Sequence, residues 1–444
     1  MKKSTAILFT ALFLLICLVP SVGMLLCGPS GALANEIPAR APAPLEDGKP
    51  NMEYLSGLTE YAADSFFLRR ELITGYAKLQ ALFGQSANED VVLGREGWLF
   101  YGEELADYAG TEPLTERELF AIAKNLSLIQ EYVEGMGAEF LFSVAPNKSS
   151  LYPQYMPDWP TAETERNAQR LMVELEKQGV AFADLFEAFG EEEETLYFAH
   201  DSHWTSRGAA LAADTLLEAL GRENIYFEGD FSTPEPHAGD LFGMLYPAAE
   251  DGERNAPPAG LDFQEPEGIR PDSVMIETTG SGEGSLLMFR DSFGELLYPY
   301  LADGFESALF SRQAAYRLAE MLNEETDVVI IELVERNLRW LMEQPSVFPA
   351  PERTETIEEA EEGEASLSVL TSGAPEGCFM VEGELSGEPA ADSPVYLMQN
   401  GRLYEALLSG ESAFTACLPE EAAEACTMFW REAGGWRQCE IVLP

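Results

Sequence analysis

The sequence is poor in basic residues and in histidine, and the first shortage limits the partners of the protein. Its 444 residues include 77 acidic and only 27 basic side chains, which gives a formal net charge of −50. Nucleic-acid binding needs a basic surface, so this balance excludes nucleic acid as a partner. Anionic membranes and strongly acidic polymers are also poor general partners for such a chain. A neutral polysaccharide is the easier polymeric partner.

Several motifs that carry common chemistries are missing. The chain contains no glycine-rich phosphate loop, no Cys-x-x-Cys pair and no histidine spacing typical of a zinc site. We therefore expect no cofactor and no metal. Abundant glutamate leaves a two-carboxylate glycosidase open, although the number of carboxylates does not define a site.

Residues 285–294 predict a buried strand that delivers a serine to the edge of a sheet. Leu286–Phe289 is short, continuously apolar and preceded by glycine, as expected of a strand covered on both faces by helices. A helical pattern follows, so Ser292 lies in a strand-to-helix turn. Ligands of open α/β sheets gather there, and free backbone N–H groups can bind an oxyanion. Ser292 is therefore a candidate nucleophile; the alternative is that Asp291 and Ser292 only cap the following helix.

A base and a carboxylate that would activate this serine stand in a second stretch. A serine nucleophile needs a base to accept its proton and a carboxylate to fix the tautomer of that base, and His203 and Asp201 supply both. Their i, i+2 spacing in an extended segment puts both side chains on one face. Two of the three histidines flank Asp201, which favours this hypothesis over a capping aspartate and a packed surface histidine. The third, His237, has no evident partner, and we interpret it as a surface residue.

Five short motifs in a fixed order resemble the DHHW and AlgJ/AlgX-like families over about residues 52–345. They are GREGWLFY at 94–101, APNK at 145–148 followed by YP at 152–153, DSHWTSRGA at 201–209, DSF at 291–293 and ELVER at 332–336. Two positions depart from the pattern. Ser202 stands where many DHHW members have a first histidine, and Arg290 replaces the glycine of a Gly-Asp-Ser block.

These families are of the SGNH-hydrolase type and include the periplasmic O-acetyltransferases of alginate. The resemblance implies transfer of an acetyl group to a polysaccharide hydroxyl, with the acetyl group supplied through a membrane O-acyltransferase. It also points to Asn147, since a loop asparagine donates to the oxyanion in SGNH-type hydrolases; a turn-capping asparagine is the alternative. Arg336 is a further candidate for binding a carbonyl or sugar group, with a salt bridge to Glu332 or Glu335 as its alternative.

The sequence leaves the outcome of the reaction open. An acetyl group on Ser292 can pass to a sugar hydroxyl or to water, so a polysaccharide acetyl-esterase is an alternative to an acetyltransferase. A catalytically silent polysaccharide-binding scaffold is a second alternative, from a different class of protein.

Strands and helices alternate from residue 114 to residue 334, which predicts an α/β fold with a mainly parallel sheet flanked by helices. The expected helices cover 114–135, 162–178, 205–220 and 313–323, and the expected strands cover 139–144, 180–183, 307–310 and 328–334. Residues 222–284 are rich in Pro, Gly and Glu and predict an irregular lid or loop region. Upstream, residues 54–83 predict one or two amphipathic helices. Residues 91–101 predict a short hairpin, with Trp98 and Phe100 in the core rather than in a sugar pocket.

The N-terminal segment predicts export. Lys2 and Lys3 precede an apolar run, and Ala32-Leu33-Ala34 offers a cleavage site, as in a secretory signal. Apolar residues continue to Cys27, which leaves a retained membrane anchor equally open. We expect an exported protein that is secreted or anchored at the extracellular face of the membrane.

These patterns divide the chain into five segments. They are a signal peptide or anchor at 1–34, a linker at 35–51, an SGNH-like domain at 52–344, a Pro- and Glu-rich linker at 345–365 and an antiparallel β-sandwich at 366–444. Four of the six cysteines fall in the last segment and can form two disulfides in an exported protein, with three possible connectivities. Trp430 and Trp436 are expected in its core rather than in a carbohydrate site.

Overall fold

A seven-stranded sheet forms the centre of the molecule. Its strands in chain order are β1 (Glu139–Ala145), β2 (Phe182–Ala183), β3 (Phe263–Gln264), β4 (Met275–Gly280), β5 (Ser285–Phe289), β6 (Ser307–Ser311) and β7 (Val328–Val334). This computed structural model describes the chain except residues 1–2, 34–35, 37, 47, 162–164, 224, 358, 371, 421–424 and 443–444. The spatial order is β2-β1-β7-β5-β6-β4-β3. The first five strands in this order run parallel. Strand β4 pairs antiparallel with β6, and β3 pairs antiparallel with β4. The predicted α/β class with a mainly parallel sheet is confirmed.

The central strands are mostly apolar and buried because both faces of the sheet are covered. All seven residues of β7 are buried, and so are six of the seven in β1. Neighbouring residues of one strand point to opposite faces, and they enter two different cores. Phe140 and Ile331 belong to one core, and Leu141 and Ile330 belong to the other.

The described part of the chain contains thirteen α-helices. They are α1 (Lys3–Cys27), α2 (Tyr54–Ser65), α3 (Arg69–Ala81), α4 (Leu105–Ala109), α5 (Glu116–Gly135), α6 (Lys148–Leu151), α7 (Asn167–Gln178), α8 (Leu185–Gly190), α9 (Ser206–Ala219), α10 (Asp240–Leu245), α11 (Gly294–Gly304), α12 (Leu318–Met321) and α13 (Trp340–Glu343). Helices α5 and α7 cover one face of the sheet, and α8, α9 and α11 cover the other. The N-terminus of α5 is fixed by a capping box in which Thr115 and Glu118 each bind the backbone N–H of the other.

Upstream of the sheet, the predicted elements are confirmed with shorter bounds. Residues 54–83 form the two helices α2 and α3, and Val91–Leu93 pairs with Leu99–Tyr101 as a hairpin. Trp98 and Phe100 are buried in a small core beside it. Within α1, residues Thr5–Cys27 are long and apolar enough to cross a membrane, a property that signal sequences share. Of the predicted cleavage site Ala32-Leu33-Ala34, the last residue lies outside the described residues.

Two expectations for the central domain are corrected. The helix expected at 313–323 is reduced to the four residues of α12, because the backbone of Tyr316 and Ala319 bonds to Val347 instead of continuing a helix. The segment 222–284 is irregular only in part. It also contains the paired strands Glu235–Pro236 and Arg254–Asn255, helix α10, and β3 and β4 of the central sheet.

The C-terminal region consists of two mainly antiparallel sheets. One contains Glu352–Arg353, Glu361–Glu362, Tyr396–Gln399, Arg402–Glu405, Ala425–Glu432 and Gly435–Val442, and the other contains Glu364–Leu370, Cys378–Ser386, Leu407–Leu408 and Ala413–Pro419. Trp430 is fully buried between them, and Trp436 is partly buried against a smaller core. The expected disulfides are not formed, since Cys378, Cys417, Cys426 and Cys439 are all free thiols.

Helix α5 joins these sheets to the central domain through polar side chains as well as apolar packing. Asn125 donates its amide to the carbonyls of Leu341 and Leu408 at 3.0 and 2.8 Å and accepts the N–H of Leu408 at 2.8 Å. Arg117 donates to the carbonyls of Glu411 and Ser393. Asn125, Leu341 and Leu408 are buried, and apolar residues of the two regions belong to one core. The exact boundary between them, set at 345–365 from the sequence, stays a prediction.

Candidate active site

The turn after β5 exposes a serine at the carboxyl edge of the sheet. Strand β5 ends at Phe289 and α11 begins at Gly294, so residues 290–293 form the connection. The carboxylate of Asp291 accepts the N–H of Phe293 at 2.8 Å and the N–H of Val334 at 2.9 Å. Asp291 therefore does more than cap a helix, because it ties the turn to the end of the neighbouring strand β7. Ser292 stands at the tip of this turn.

A second loop, residues 197–204, approaches the turn from the side. Its ends are joined by a bridge between Tyr197 and Trp204 and by the bond from Phe198 N–H to the carbonyl of His203. The indole N–H of Trp204 donates to the carbonyl of Phe293 at 3.1 Å. This bond fastens the loop directly to the serine turn.

A buried lysine binds backbone carbonyls of the same loop. Lys148 is fully buried, and its ammonium group donates to the carbonyls of Phe198, Ala199 and Asp201 at 3.1, 3.3 and 2.6 Å. Burial lowers the pKa of Lys148 to about 8. The APNK motif thus contributes a cation that organises the loop carbonyls.

The structure brings the three predicted catalytic side chains into one hydrogen-bonded chain. Nε2 of His203 lies 2.8 Å from Oγ of Ser292. Nδ1 of His203 lies 2.7 Å from Oδ1 of Asp201. Both distances are those of good hydrogen bonds. This geometry is the one that a serine nucleophile, its base and the group that orients the base require.

The carboxylate of Asp201 accepts four hydrogen bonds. Oδ1 accepts the backbone N–H of His203 at 3.0 Å in addition to its bond with the ring, and Oδ2 is 3.0 Å from both Nε2 of His237 and the N–H of Asp240. Burial alone would raise the pKa of Asp201, but the bonds from His203 and His237 hold it well below its usual range. Asp201 is therefore anionic. Burial likewise disfavours a charged His203, yet the Asp201 carboxylate outweighs it and raises the pKa of that imidazole.

A second carboxylate, Asp240, flanks the base. Its Oδ2 lies 3.8 Å from Nδ1 of His203 and accepts the hydroxyl of Ser202 at 2.6 Å, while Oδ1 accepts the Ser202 N–H at 2.8 Å. Burial, and after it the charge of Asp201, raises the pKa of Asp240. Ser202, which replaces a histidine of the DHHW pattern, thus fixes Asp240 beside the base.

A cavity of about 460 Å³ opens beside Ser292, and its lining includes Arg336, which has unused donor capacity. The guanidinium of Arg336 lies over the rings of Tyr101 and Phe293, 5.2 and 5.7 Å from their centroids. Its ion pair is with Glu103 at 3.8 Å rather than with the expected Glu332 or Glu335. Its Nη1 is buried and has no hydrogen-bond partner among the described residues.

Residues 91–279 match the family model of the SGNH hydrolase-like domain of the acetyltransferase AlgX. This stretch of the chain is similar to an SGNH hydrolase-like domain. The matched stretch includes Asp201, His203 and Asp240 and ends before Ser292. The predicted resemblance is thereby confirmed.

Several relatives and solved structures are similar to part of the chain. A probable alginate O-acetylase AlgJ of Pseudomonas putida is 26% identical over 196 residues, which cover 42% of this chain and 50% of the relative. A protein of the same name from Pseudomonas syringae pv. tomato is 26% identical over 257 residues, covering 55% and 61%. The chain thus spans about half to three fifths of these relatives. The O-acetyltransferase domain of Pseudomonas putida AlgJ superposes with a TM-score of 0.38 and 21% identity over 56% of this chain and 92% of that chain.

Within the SGNH hydrolase-like domain, Asn147 has different surroundings from those expected of an oxyanion ligand. Its amide donates to Asp107 at 3.2 Å, and its backbone N–H donates to Glu335 at 3.0 Å. Burial raises the pKa of Glu335 to about 7. Asn147 is fully buried and is not among the residues that line the cavity at Ser292. Its Oδ1 has no hydrogen-bond partner among the described residues.

Two groups of side chains in the domain bring possible metal ligands within 4.8 Å of one another. They are His200 with Asp251 and Glu253, and the cluster of Asp201, His203 and Asp240. In the first group, Glu253 accepts the N–H of Ala199 and His200, and Asp251 accepts from His200 and from Gly239. In the second, the carboxylates hold Ser202, His203 and His237 as described above. Because hydrogen bonds already engage these oxygens, we assign neither group to a cation.

Sequence reasoning missed His237 and Asp240 as parts of the site. The interpretation of His237 as a surface residue is wrong, since it bonds Asp201 and is only about a quarter exposed. Both residues come from the irregular segment 222–284, which has no hydrophobic period from which to place them. The available signal was a single aspartate, Asp240, directly before the apolar pair Leu241-Phe242.

Proposed function

We propose that this protein is a cell-envelope O-acetyltransferase that transfers an acetyl group through a serine acyl-enzyme to hydroxyls of an exported polysaccharide. The observation that carries the proposal is the continuous hydrogen-bonded chain from Ser292 through His203 to Asp201, with distances of 2.8 and 2.7 Å. The similarity to AlgX and to the AlgJ relatives of Pseudomonas supports acetyl transfer as the reaction class.

In the first half-reaction, Oγ of Ser292 attacks the carbonyl carbon of the acetyl donor while Nε2 of His203 takes its proton. Asp201 stabilises the resulting imidazolium and keeps Nδ1 protonated. The tetrahedral intermediate collapses, the bond to the leaving group breaks, and His203 returns the proton to that group. An acetyl ester on Ser292 and a free leaving group result.

The oxyanion of the tetrahedral intermediate needs donors on the cavity side of Ser292. The N–H of Ser292 has no hydrogen-bond partner among the described residues, and Nη1 of Arg336 is likewise unpartnered and buried in the same cavity. A donor placed for a developing oxyanion typically contributes a hundredfold to a thousandfold in rate. We assign the oxyanion to these two groups. The role of Asn147 as a third donor stays a prediction. Its side-chain amide would have to break the bond to Asp107 before it could donate to the oxyanion.

In the second half-reaction, a sugar hydroxyl gives its proton to Nε2 of His203 and attacks the carbonyl carbon of the acetyl ester. The bond between that carbon and Oγ of Ser292 then breaks, and His203 returns the proton to Oγ. The large negative charge of the chain favours a neutral polysaccharide as this acceptor. The apolar N-terminal helix would direct export, and if it is retained it would anchor the protein at the extracellular face of the membrane. A membrane O-acyltransferase is the partner that would supply the acetyl group.

The test is acetyl-ester turnover by the wild type, by Ser292→Ala and by Ser285→Ala. Ser285 lies at the other end of the same strand, so its variant controls for general damage to β5. Loss of the nucleophile is expected to lower turnover by about a thousandfold or more, while Ser285→Ala stays near the wild type. Unchanged turnover in Ser292→Ala would refute the nucleophile. No turnover by the wild type would favour the silent scaffold.

Adding an oligosaccharide acceptor to the same assay separates transfer from hydrolysis. We expect an acetylated oligosaccharide to form at the expense of free acetate. Free acetate alone, at an unchanged rate, would identify a polysaccharide acetyl-esterase.

A further inference from the structure

His237 reaches the triad from the irregular segment 222–284. Its Nε2 lies 3.0 Å from Oδ2 of Asp201, the carboxylate oxygen that the ring of His203 does not use. The imidazole stacks on the ring of Phe198, with 3.9 Å between centroids and 5° between planes. Its backbone N–H donates to the carbonyl of Glu253 at 2.9 Å. A ring stack, a side-chain bond and a backbone bond therefore fix the position of His237.

We propose that His237 is a positioning residue for the catalytic base. It holds Oδ2 of Asp201 so that Oδ1 faces Nδ1 of His203. Protonation of His237 also sets the pH below which His203 ceases to act as a base. This inference rests on the proposed function, because it assigns a task within the same triad.

The charges around His237 favour its protonation in the folded protein. It faces Asp201, Glu253 and Asp251, and no cation is among the groups that influence its titration most. Burial opposes a charged ring, but the three carboxylates outweigh burial and raise the pKa of His237. About a quarter of the side chain is exposed, so solvent can deliver the proton.

The charges around His203 make it sensitive to that proton. It faces Asp201 and Asp240, and Arg336 is the cation nearby. The two imidazoles bind opposite oxygens of one carboxylate, so they compete for the same negative charge. A proton on His237 offsets part of the charge of Asp201 and lowers the affinity of His203 for its own proton. Two unit charges several Å apart at an effective dielectric constant of about 20 can shift such a titration by about one pH unit.

The test uses the full chain and its three histidines, whose ring ¹⁵N signals can each be followed by NMR during a pH titration. His237→Gln keeps a donor near the Nε2 position but cannot take a proton. In the wild type we expect the His203 signals to titrate in two coupled steps. In His237→Gln they should titrate in one step, at a pH about one unit higher. The acid limb of kcat/KM should move upward by the same amount, with the plateau rate retained within a few-fold.

His200→Gln is the matched control, because His200 forms a comparable bond to an aspartate, 2.7 Å to Asp251, without touching Asp201. It should leave the titration of His203 in place. His237→Ala should in addition lower the plateau rate, since Oδ2 of Asp201 loses a donor, and His237→Gln should restore it.

A His203 titration that is the same in the wild type and in His237→Gln would overturn the inference, even if both variants were less stable. That outcome is distinct from failure of the proposed function, because the NMR titration needs no turnover. Activity that survives in Ser292→Ala would remove the acyl-enzyme while leaving the coupling of the two histidines measurable.

Discussion

Replacing Asp201 by asparagine is expected to disable the base more than the loss of one charge suggests. Each carboxylate oxygen of Asp201 meets a backbone N–H at 3.0 Å, from His203 at Oδ1 and from Asp240 at Oδ2. An asparagine must place its NH2 group against one of these donors, and neither backbone group can turn away. With the NH2 at the Oδ1 position, Nδ1 of His203 must become an acceptor, so that Nε2 carries the proton and cannot accept one from Ser292.

The magnitude follows from the bonds that are lost. Hydrogen bonds to a charged group contribute about 1.5 to 3 kcal/mol each, and two of them orient the ring and stabilise its charged form. Loss of about 4 to 5 kcal/mol of transition-state stabilisation corresponds to about a thousandfold to ten-thousandfold in kcat/KM. This agrees with the effect of the wrong tautomer in other serine triads.

The assay measures kcat/KM for an acetyl ester at a pH high enough for the His203 imidazole to be neutral. Thermal unfolding of the same proteins is measured beside it. Asp214→Asn is a suitable control, because Asp214 also accepts two backbone N–H groups, from Tyr226 and Phe227, at 2.9 Å. We expect the control to lose stability and to retain activity. A decrease of less than about tenfold for Asp201→Asn would refute the reasoning about the tautomer.

Three further predictions concern stability and can be checked by chemical or thermal unfolding. Burial raises the pKa of Glu332 well above its usual range. The free energy of unfolding is therefore highest below the pKa that Glu332 has in the unfolded chain, and it falls as pH rises above that value. Glu332→Gln should be more stable than the wild type by about 1 to 3 kcal/mol at pH 8 and by little at pH 4; an equal gain at both pH values would contradict this. Lys148→Met should lower the free energy of unfolding by about 2 to 4 kcal/mol and impair turnover, because three loop carbonyls lose their donor. Unchanged turnover would show that the loop keeps its conformation without Lys148. Arg117→Ala should cost a similar amount, whereas the same change at the exposed Arg270 should cost less than about 0.5 kcal/mol; equal effects would argue against a docking role for Arg117.

The parts of the site that could be predicted from the sequence are those that lie on regular elements or in short motifs. Ser292 was recognisable because an apolar strand and a helical pattern bracket it within a few residues. Asp201 and His203 were recognisable by spacing and by the scarcity of histidine. Their loop lies between α8 and α9, and the bond from Trp204 to the carbonyl of Phe293 brings it to the serine turn at the carboxyl end of β5.

The parts that could not be predicted depend on contacts between irregular segments. His237 and Asp240 reach Asp201 from a segment without hydrophobic period, so no pattern indicated their direction. Asn147 follows β1 as expected, but its side chain is taken up by Asp107, a partner on the short helix α4. The shortened α12 has the same origin, because Val347 competes for the backbone groups that a longer helix would use.

The most direct test of the central claim is to trap the acyl-enzyme. The wild type and Ser292→Ala are mixed briefly with an activated acetyl ester, quenched in acid and digested, and the peptides are analysed by mass spectrometry. We predict a single acetyl group on the peptide that contains Ser292 in the wild type, and none at this position in the variant. Turnover of the ester by the wild type with no acetyl group on Ser292 at any quench time would contradict the serine mechanism.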